Sequence, residues 1–389
     1  MNMSAVEWKK LGDVCEIIKG CSLSKNDVGT GECPVILYGE LYTTYGDYIT
    51  SIKSCVSSEL AENATPLKYN DLVLPVSSTT KEAQIGKSSV IKVTNNVSLG
   101  SDAIILRNSP NSDFLMYYIN SQLFEKEKMQ CVNGTTIMHL SPKKMSEKKI
   151  PMPSAEEQIR IVGILDTFTT LISNLESELD MRRKQYEHYR NQLLDFEGVE
   201  KLPLSEVFEM RGGYTPSTKN DEFWKDGTLP WFRMEDIREN GNILSDSTLH
   251  ITPIAVKKNG LFPMNSIILA TSATIGVHAL LTVPALSNQR FTAFYPKQKY
   301  ENKVNYKYTY YIFYIIDEWC KNNIVQGGFA SVDMAGLRKY LFPLPSLVKQ
   351  QQIVEKLDAF ENLIQSLEQE IKLRKQQYEY YREKLLTFE

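Results

Sequence analysis

The sequence predicts an α+β protein that is built twice. Two mixed α/β domains are joined by two long helices, which form an antiparallel intramolecular coiled coil with pseudo-two-fold symmetry. Residues 151–197 recur as residues 343–389 at a constant offset of 192, with 24 of the 47 aligned positions identical. Both copies carry a heptad pattern, and short β-rich runs occupy the segments between them.

Composition limits the class of protein. With 389 residues and 42% hydrophobic content, the chain can bury more than one core. No run of about 18 apolar residues occurs, and residues 1–7 lack the pattern of a signal peptide, so we expect a cytoplasmic protein with no membrane segment. The six cysteines include no Cys-x-x-Cys pair, which favours reduced thiols over disulfides or a zinc site.

The charge is unevenly distributed along the chain. The net charge of -3 consists of -4 and -1 in the two repeats, and of 0 and +2 in residues 1–150 and 198–342. The acid excess therefore belongs to the repeats. Neutral to slightly basic segments permit a local DNA-binding patch without requiring one.

Residues 1–150 are predicted to form the first mixed domain. Short apolar and β-branched runs at 71–76, 88–93 and 103–106 are typical of strands. A helical pattern of apolar residues follows from Asp113 to Gln130. Both kinds of secondary structure thus occur within one segment.

Residues 151–197 are predicted to form the first long helix. The lead-in Pro-x-Pro-Ser ends at Ser154, which is a candidate N-cap. After this opening the only glycine or proline is Gly163. The helix could reach about 43 residues, or roughly 65 Å at 1.5 Å per residue.

Residues 198–342 are predicted to form the second mixed domain, a distant copy of the first. The stretch from Val199 to Gly213 aligns with the stretch from Val6 to Gly20 at an offset of 193. A strand is expected at 291–294 and a helix from Lys307 to Asn322.

Residues 343–389 repeat the first helix, with Ser346 as the candidate N-cap. A helix with one apolar stripe needs a partner, and the other copy of the same helix is the simplest one. The residues predicted to pair the two helices are Leu165, Phe168, Ile172, Leu175, Leu179, Arg182, Tyr186, Leu357, Phe360, Ile364, Leu367, Ile371, Arg374 and Tyr378.

An arginine interrupts each seam at the equivalent position, Arg182 in one copy and Arg374 in the other. If the helices are antiparallel with their midpoints aligned, each arginine falls about one turn from Glu370 or Glu178 of the other helix. Crossed ion pairs that set the register are one interpretation. The other is that both arginines extend into solvent and pack only their stems.

The most specific motifs of the chain are the Pro-x-Pro-Ser lead-ins followed by Gln158 or Gln350, and the two Gln-Tyr-Glu-x-Tyr-Arg helix ends. The second domain adds the motif Gly-Tyr-Thr-Pro-Ser at 213–217, whereas residues 20–24 of the first domain lack the Thr-Pro. Through these motifs the whole chain resembles the specificity subunits of type I restriction-modification enzymes.

The resemblance implies a subunit that recognises DNA and has no catalytic role. Residues 1–150 and 198–342 would be target-recognition domains, each recognising half of an asymmetric bipartite site in double-stranded DNA. Residues 151–197 and 343–389 would set the spacing and dock two methyltransferase subunits, and two restriction/translocase subunits could join. Adenine methylation with S-adenosylmethionine, and cleavage with ATP and Mg, would belong to those partner chains.

The residues agree with this division of labour. Gly86-Lys87-Ser88 has Lys81 where a phosphate-binding loop needs its first glycine, and the four histidines lie far apart without metal-ligand spacing. DNA contacts should come from polar side chains on loops. The candidates are Lys19, Lys25, Tyr42, Thr43, Thr44, Tyr45, Ser78, Thr79, Thr80, Lys81, Thr135, Arg211, Tyr214, Thr215, Ser217, Lys219, Arg233, Thr271, Ser272, Asn288, Gln289, Arg290 and Gln326.

Two other functions remain open at the level of residues. The chain could be a protein-interaction adaptor that binds no nucleic acid, or the detached recognition region of a single-chain DNA methyltransferase. Composition and motifs do not separate these from a specificity subunit, and the resemblance favours the specificity subunit.

Overall fold

The computed structural model describes residues 6–23, 25–79, 85–134, 136–325 and 330–388. The chain divides into two compact units. Unit 1 comprises Met1–Ser177 and Gln369–Glu389, and unit 2 comprises Glu178–Glu368. The division passes through both long helices, so each unit contains part of each.

The described residues of unit 1 form fourteen strands, six complete helices and part of each long helix. The strands are β1 (Glu7–Lys10), β2 (Glu16–Lys19), β3 (Cys33–Ile36), β4 (Tyr48–Ile49), β5 (Ser54–Val56), β6 (Thr65–Pro66), β7 (Leu72–Pro75), β8 (Ser77–Ser78), β9 (Ser89–Ile91), β10 (Ser98–Leu99), β11 (Ala103–Arg107), β12 (Val132–Asn133), β13 (Met138–Leu140) and β14 (Lys149–Met152). The helices are α1 (Leu11–Val14), α2 (Glu40–Thr43), α3 (Ser58–Glu62), α4 (Ser112–Ile119), α5 (Gln122–Met129), α6 (Pro142–Ser146) and the first part of α7 (Ala155–Leu193).

Unit 2 contains the remaining strands and helices in the same general order. The strands are β15 (Lys201–Pro203), β16 (Phe208–Gly212), β17 (Leu229–Phe232), β18 (Ile243–Leu244), β19 (His250–Ile251), β20 (Ile267–Ala270), β21 (His278–Leu281), β22 (Leu286–Ser287), β23 (Phe291–Pro296), β24 (Ile324–Val325), β25 (Ser331–Val332) and β26 (Leu341–Pro343). The helices are α8 (Leu204–Val207), α9 (Met234–Asn240), α10 (Tyr306–Asn322), α11 (Met334–Lys339) and the first part of α12 (Leu347–Leu386).

The two units have the same central sheet. Its strand order is β2-β11-β7-β9-β4 in unit 1 and β16-β23-β20-β21-β18 in unit 2, and equivalent strands take equivalent places. Gly86 shortly before β9 and Gly276 shortly before β21, the equivalent strand, have positive φ values of 71° and 72°, a conformation that favours glycine. The prediction of two mixed α/β copies is confirmed at the level of strand order.

A helix covers one face of each central sheet. In unit 1, alternate residues of β7 and β11 are fully buried beneath α4, as period-two strands require. The helix predicted from Asp113 to Gln130 is two helices, because Asn120 leaves the helix and its amide group bonds to Ser88. In unit 2 the equivalent helix α10 is continuous over 17 residues.

The lead-in motif has a direct structural explanation. Ser154 Oγ accepts a hydrogen bond from the Glu157 N–H at 3.3 Å, so it caps the start of α7. The buried Gln158 side chain donates to the carbonyl oxygen of Pro153 at 2.9 Å. Ser346 and Gln350 make the same two bonds at the start of α12. The motif therefore satisfies polar groups at a buried helix start.

The long helices pair in antiparallel fashion within each unit. Phe168 stacks on Tyr381 in unit 1 with ring centroids 5.6 Å apart, and Tyr189 stacks on Phe360 in unit 2 at 5.5 Å. These are the same two positions of the repeat, exchanged between the helices. All the predicted seam residues are buried or half-buried. The helices contain 39 and 40 residues, slightly fewer than expected.

The seam arginines bond to carboxylates of their own helices. Arg182 is bonded to Glu178 at 3.2 Å, and Arg374 to Glu370 at 3.4 Å. These i, i+4 pairs leave both guanidinium groups partly solvated. The crossed ion pairs stay a prediction.

Ion pairs between the two helices are formed by Arg183 and Lys375, the residues that directly follow the seam arginines. In unit 1, Lys375 lies 2.7 Å from Glu176, and in unit 2, Arg183 lies 2.6 Å from Glu368. The two pairs are equivalent at the offset of 192. All four side chains are about half exposed, so each pair contributes little to the free energy of unfolding.

Buried tyrosines attach each globular part to its helices. In unit 1 the hydroxyls of Tyr48 and Tyr117 both donate to Asp166 Oδ1 on α7 at 2.7 Å. In unit 2 the hydroxyl of Tyr311, the equivalent of Tyr117, donates to Asp358 on α12 at 2.6 Å. The aspartates are equivalent positions of the repeat, so the same contact joins sheet domain and helix twice.

Glu361 is a half-buried carboxyl group of α12 within unit 2. It accepts hydrogen bonds from Tyr186 at 2.9 Å and from Tyr311 at 3.1 Å. Burial is the main cause that raises the pKa of Glu361, and the two tyrosine hydroxyls partly offset it. Folding therefore makes protonation of this carboxyl group easier than in the unfolded chain.

We expect Glu361→Gln to make unit 2 more stable than the wild type at neutral pH. The stability that protonated Glu361 contributes is fully present below its unfolded pKa and is lost as the pH rises through the higher folded pKa. Glutamine keeps an acceptor for Tyr186 and carries no charge, so the midpoint of thermal unfolding should rise by on the order of 1 to 2 °C. Unfolding measured between pH 4 and pH 8 checks this. An advantage that is as large at pH 4 as at pH 8 would contradict the argument.

Candidate nucleic-acid interface

The candidate side chains collect at one edge of each unit. In unit 2, β17 and β22 are parallel neighbours that end together at Phe232 and Ser287. The chain segments that follow, beginning at Arg233 and Asn288, therefore emerge side by side, and the Asn288 N–H donates to the Phe232 carbonyl oxygen at 3.1 Å. We call residues 213–219, 233, 271–274 and 288–290 the loop edge of unit 2.

Hydrogen bonds connect the separate segments of this edge. Thr215 Oγ1 donates to Gln289 Oε1 at 2.6 Å, and the Thr271 N–H donates to the Arg290 carbonyl oxygen at 2.9 Å. Predicted residues that are more than 50 positions apart thus meet on one surface. The exposed candidates of this edge are Thr215, Ser217, Lys219, Gln289 and Arg290, and Ser272 and Asn288 are half-buried.

Tyr214 anchors the first loop of this edge and does not project from it. Its hydroxyl donates to the Ala255 carbonyl oxygen at 3.1 Å and accepts the Lys257 N–H at 2.9 Å. Its own carbonyl oxygen accepts the indole N–H of Trp231 at 2.9 Å. The Gly-Tyr-Thr-Pro-Ser motif therefore fixes the loop through its tyrosine and exposes the threonine and serine.

Two of the arginines predicted to contact DNA already make contacts within unit 2. The Arg211 guanidinium lies 4.7 Å from the centre of the Phe262 ring and bonds to the carbonyl oxygen of Asn259. Arg233 Nε lies 3.9 Å from Glu235 Oε2, and the backbone N–H of Arg233 donates to the carboxylate of Asp236 at 2.7 Å. Within the described part of the chain, Arg211 Nη2 and Arg233 Nε are buried atoms without a hydrogen-bond partner.

The loop edge of unit 1 contains a hydrogen-bonded cluster around Ser77. The Tyr42 hydroxyl donates to the Ser77 carbonyl oxygen at 3.1 Å, and burial raises the pKa of Tyr42 well above its ordinary value. Ser77 Oγ lies 2.9 Å from Asp102 Oδ1 and 2.9 Å from His139 Nδ1. We call residues 20–23, 25, 37–45, 77–79 and 100–102 the loop edge of unit 1.

The candidate residues of unit 1 differ in their exposure to solvent. Lys19, Lys25, Thr43, Thr44 and Thr79 are exposed. Tyr45 and Ser78 are buried, as is Thr271 of unit 2, so a contact with a ligand would require them to become accessible. Thr80, Lys81, Thr135 and Gln326 lie outside the described residues.

Sequence reasoning missed Ser77, Asp102 and His139. The serine stands next to a candidate, but Asp102 and His139 are 25 and 62 positions from it along the chain. An acidic residue is also a poor candidate for DNA binding by residue type, because phosphates repel a carboxylate. No signal in the sequence marks Asp102, because its equivalence to Arg290 of the second copy follows only from strand pairing.

The two loop edges have equivalent backbone hydrogen bonds but side chains of different charge. The Leu37 N–H donates to the Glu40 carboxylate at 2.9 Å, just as the Arg233 N–H donates to Asp236. Leu37 thus stands where unit 2 has an arginine. Edges with equivalent hydrogen bonds and different side chains can bind chemically different versions of one kind of ligand.

Within the described ranges, no group of three or more His, Cys, Asp or Glu side chains is arranged to hold a metal ion. Among the same residues, no helix is long and apolar enough to cross a membrane.

A protein-family model agrees with the repeated architecture. The model for the type I restriction modification DNA specificity domain matches the chain twice, at residues 3–181 and 197–373. The chain belongs to this family. Each match begins near the start of one sheet domain and extends into the long helix that follows it.

Curated relatives carry the same family name. The specificity subunit of the Escherichia coli type I restriction enzyme EcoprrI is 49% identical over 211 residues, covering 51% of this chain and 53% of the relative. The EcoR124I/EcoR124II specificity subunit of the same organism is 39% identical over 268 residues, covering 62% and 64%. The specificity-domain chain thus spans about half to two thirds of these relatives.

A solved structure supports the fold. The S subunit of a type I restriction-modification system from M. genitalium matches with a TM-score of 0.56 and 15% identity, over 100% of this chain and 97% of the other. The expected fold class, two mixed α/β domains with paired long helices, is therefore the fold of this specificity-domain chain.

Proposed function

We propose that the chain is the DNA-recognition subunit of a type I restriction-modification complex in the cytoplasm. Residues 1–150 and 198–342 each recognise one half of an asymmetric bipartite site. Residues 151–197 and 343–389 set the distance between the halves and dock two methyltransferase subunits. Methylation and cleavage take place on partner chains.

The observation that carries the proposal is the contrast between a shared scaffold and divergent loop edges. The central sheets have the same strand order, and equivalent backbone bonds form both edges. The side chains presented there differ, which is what two different DNA half-sites require, since base edges are recognised by side chains on a common frame. An adaptor or a detached methyltransferase region finds no support in the family match.

The outward faces of the helices support docking of two identical partners. Leu171 and Leu363 are exposed apolar residues at equivalent positions, and Met181 and Leu373 form a second such pair. Within unit 2, Leu363 lines a groove of about 790 Å³ together with Tyr189. Repeated apolar positions on a solvated helix favour contact with a repeated partner.

Co-expression with methyltransferase chains encoded nearby tests the complex. We expect a complex that contains two methyltransferase copies for each copy of this chain, and methylated adenines at one bipartite sequence. A chain that binds no methyltransferase and no DNA would contradict the proposed function.

The double variant Lys25→Ala/Lys219→Ala tests the loop edges as the DNA-binding surface. Both lysines are exposed, one on each edge. We expect weaker binding to all DNA sequences alike. In a plot of log affinity against log salt concentration, the slope should be reduced by about one for each lysine–phosphate ion pair that the substitutions remove. Lys299→Ala is the matched control, because this exposed lysine follows the far end of β23. Equal salt slopes for all three proteins would remove these edges from the interface.

A further inference from the structure

The two loop edges carry opposite charges at one equivalent position. The Val76 N–H donates to the Asp102 carbonyl oxygen at 2.8 Å in unit 1, and the Thr271 N–H donates to the Arg290 carbonyl oxygen at 2.9 Å in unit 2. Asp102 directly precedes β11 and Arg290 directly precedes β23, which are equivalent strands. An acid and an arginine therefore stand at the same place on the same frame.

Asp102 is exposed and held in a defined orientation. Its Oδ1 accepts a hydrogen bond from Ser77 Oγ at 2.9 Å, and His139 Nδ1 lies 2.9 Å from the same hydroxyl. A carboxylate beside DNA is repelled by phosphates, so it favours binding only where it accepts a hydrogen bond from a base. Among base edges in the major groove, the amino groups of cytosine and adenine are the donors.

Arg290 has a fixed backbone and a free side chain. Its N–H donates to Asn288 Oδ1 at 3.0 Å, which holds the turn before β23. The side chain is exposed and has no hydrogen bond or ion pair within the described residues. A free guanidinium group forms two parallel hydrogen bonds to O6 and N7 of guanine.

We propose that Asp102 and Arg290 are specificity-determining residues, one for each half-site. Asp102 selects a cytosine in the half-site bound by unit 1, and Arg290 selects a guanine in the half-site bound by unit 2. The inference rests on the proposed function, because it assumes that both loop edges face DNA.

The variant Asp102→Asn tests the first assignment. Asp102 has a φ of 57°, a left-handed conformation that asparagine also adopts, so the backbone should be retained. An asparagine amide both donates and accepts and matches adenine N6 and N7. We expect the preference at one position of the unit 1 half-site to move from cytosine to adenine by roughly tenfold to hundredfold, with the other half-site unchanged.

The variant Arg290→Gln is the reciprocal test. We expect it to lose the preference for guanine at one position of the unit 2 half-site, by a similar factor, and to leave the unit 1 half-site unchanged. Glu62→Gln, which changes an exposed carboxylate on α3, is the control for the loss of one negative charge in Asp102→Asn. Binding of the complex with its methyltransferase subunits to a library randomised at every position provides the measurement.

The outcomes separate this inference from the proposed function. If the wild-type complex selects a bipartite sequence, but the Asp102 and Arg290 variants keep the wild-type preference at every position, the two assignments are overturned and the proposed function stands. If the wild-type complex selects no sequence at all, the proposed function itself fails. The exposed Arg290 side chain has no hydrogen bond or ion pair within the described residues, so its variant should fold and remain informative even if the Asp102 variant does not.

Discussion

Deleting residues 175–181 together with their equivalents 367–373 is expected to yield a folded chain that prefers a shorter DNA spacer. Seven residues are one heptad, so the apolar seams stay in phase on both helices. Each helix becomes shorter by about 10 Å, which corresponds to as much as about three base pairs at 3.4 Å each. Affinity for a site with the original spacing should fall at least about a hundredfold, because one half-site loses its specific contacts.

The ion pairs that this deletion removes contribute little stability, and its main cost is the loss of the seam residues Leu175, Leu179, Leu367 and Ile371. The deleted segments include Glu176 and Glu368, whose ion pairs with Lys375 and Arg183 are about half exposed and worth little. Binding to a series of sites that differ only in spacer length measures the effect. An unchanged preferred spacing, or a change of half-site sequence, would contradict the role of the helices as a spacer.

A five-residue deletion at 175–179 and 367–371 is the control for phase. At about 100° per residue, it rotates the seam residues on one side of each deletion by about 140° relative to those on the other, so apolar side chains turn toward solvent. We expect this variant to lose helix pairing, whereas the seven-residue variant keeps it and unfolds at a higher temperature. Circular dichroism during heating distinguishes the two.

Asp166→Ala is expected to lower the free energy of unfolding of unit 1 by about 2 to 5 kcal/mol. It removes the acceptor shared by the hydroxyls of Tyr48 and Tyr117, each 2.7 Å from Asp166 Oδ1. Tyr117 is buried and Tyr48 half-buried, and a buried donor left without a partner costs about 1 to 3 kcal/mol. Hydroxyls without an acceptor should also loosen the sheet domain from α7.

The repeat supplies a matched comparison. Asp358→Ala removes the equivalent carboxylate in unit 2, but Tyr311 keeps a second acceptor, Glu361, at 3.1 Å. We therefore expect a smaller loss of stability for Asp358→Ala than for Asp166→Ala. Adding Tyr48→Phe and Tyr117→Phe to Asp166→Ala should recover part of the loss, because the unpaired donors are then gone. Denaturant unfolding of these variants tests the account, and equal losses at both aspartates would contradict it.

Much of the fold could be predicted from the sequence because periodic patterns are local. The constant offset of 192 identified the repeat, and the heptad pattern identified the seam residues that the structure buries. Ser154 and Ser346 were recognisable as caps because a helix start needs a side-chain acceptor within a few residues. The bonds of Arg182 and Arg374 to carboxylates of their own helices were not predicted, because a side chain with several rotatable bonds can reach more than one carboxylate.

The sequence predicted which loops form the candidate site, but only the tertiary structure showed which of their residues are exposed and which lie together. The hydroxyl-rich loops indicated the two loop edges correctly. Strand pairing, however, decides that Tyr45 and Thr271 are buried. It also brings together Ser77, Asp102 and His139. The sequence by itself determined the repeat, the helix pairing and the family, since these follow from local periodicity and similarity. Only the folded sheets decided that Asp102 and Arg290 are equivalent, because strand register brings distant residues together and similarity between the two copies is too weak to align them.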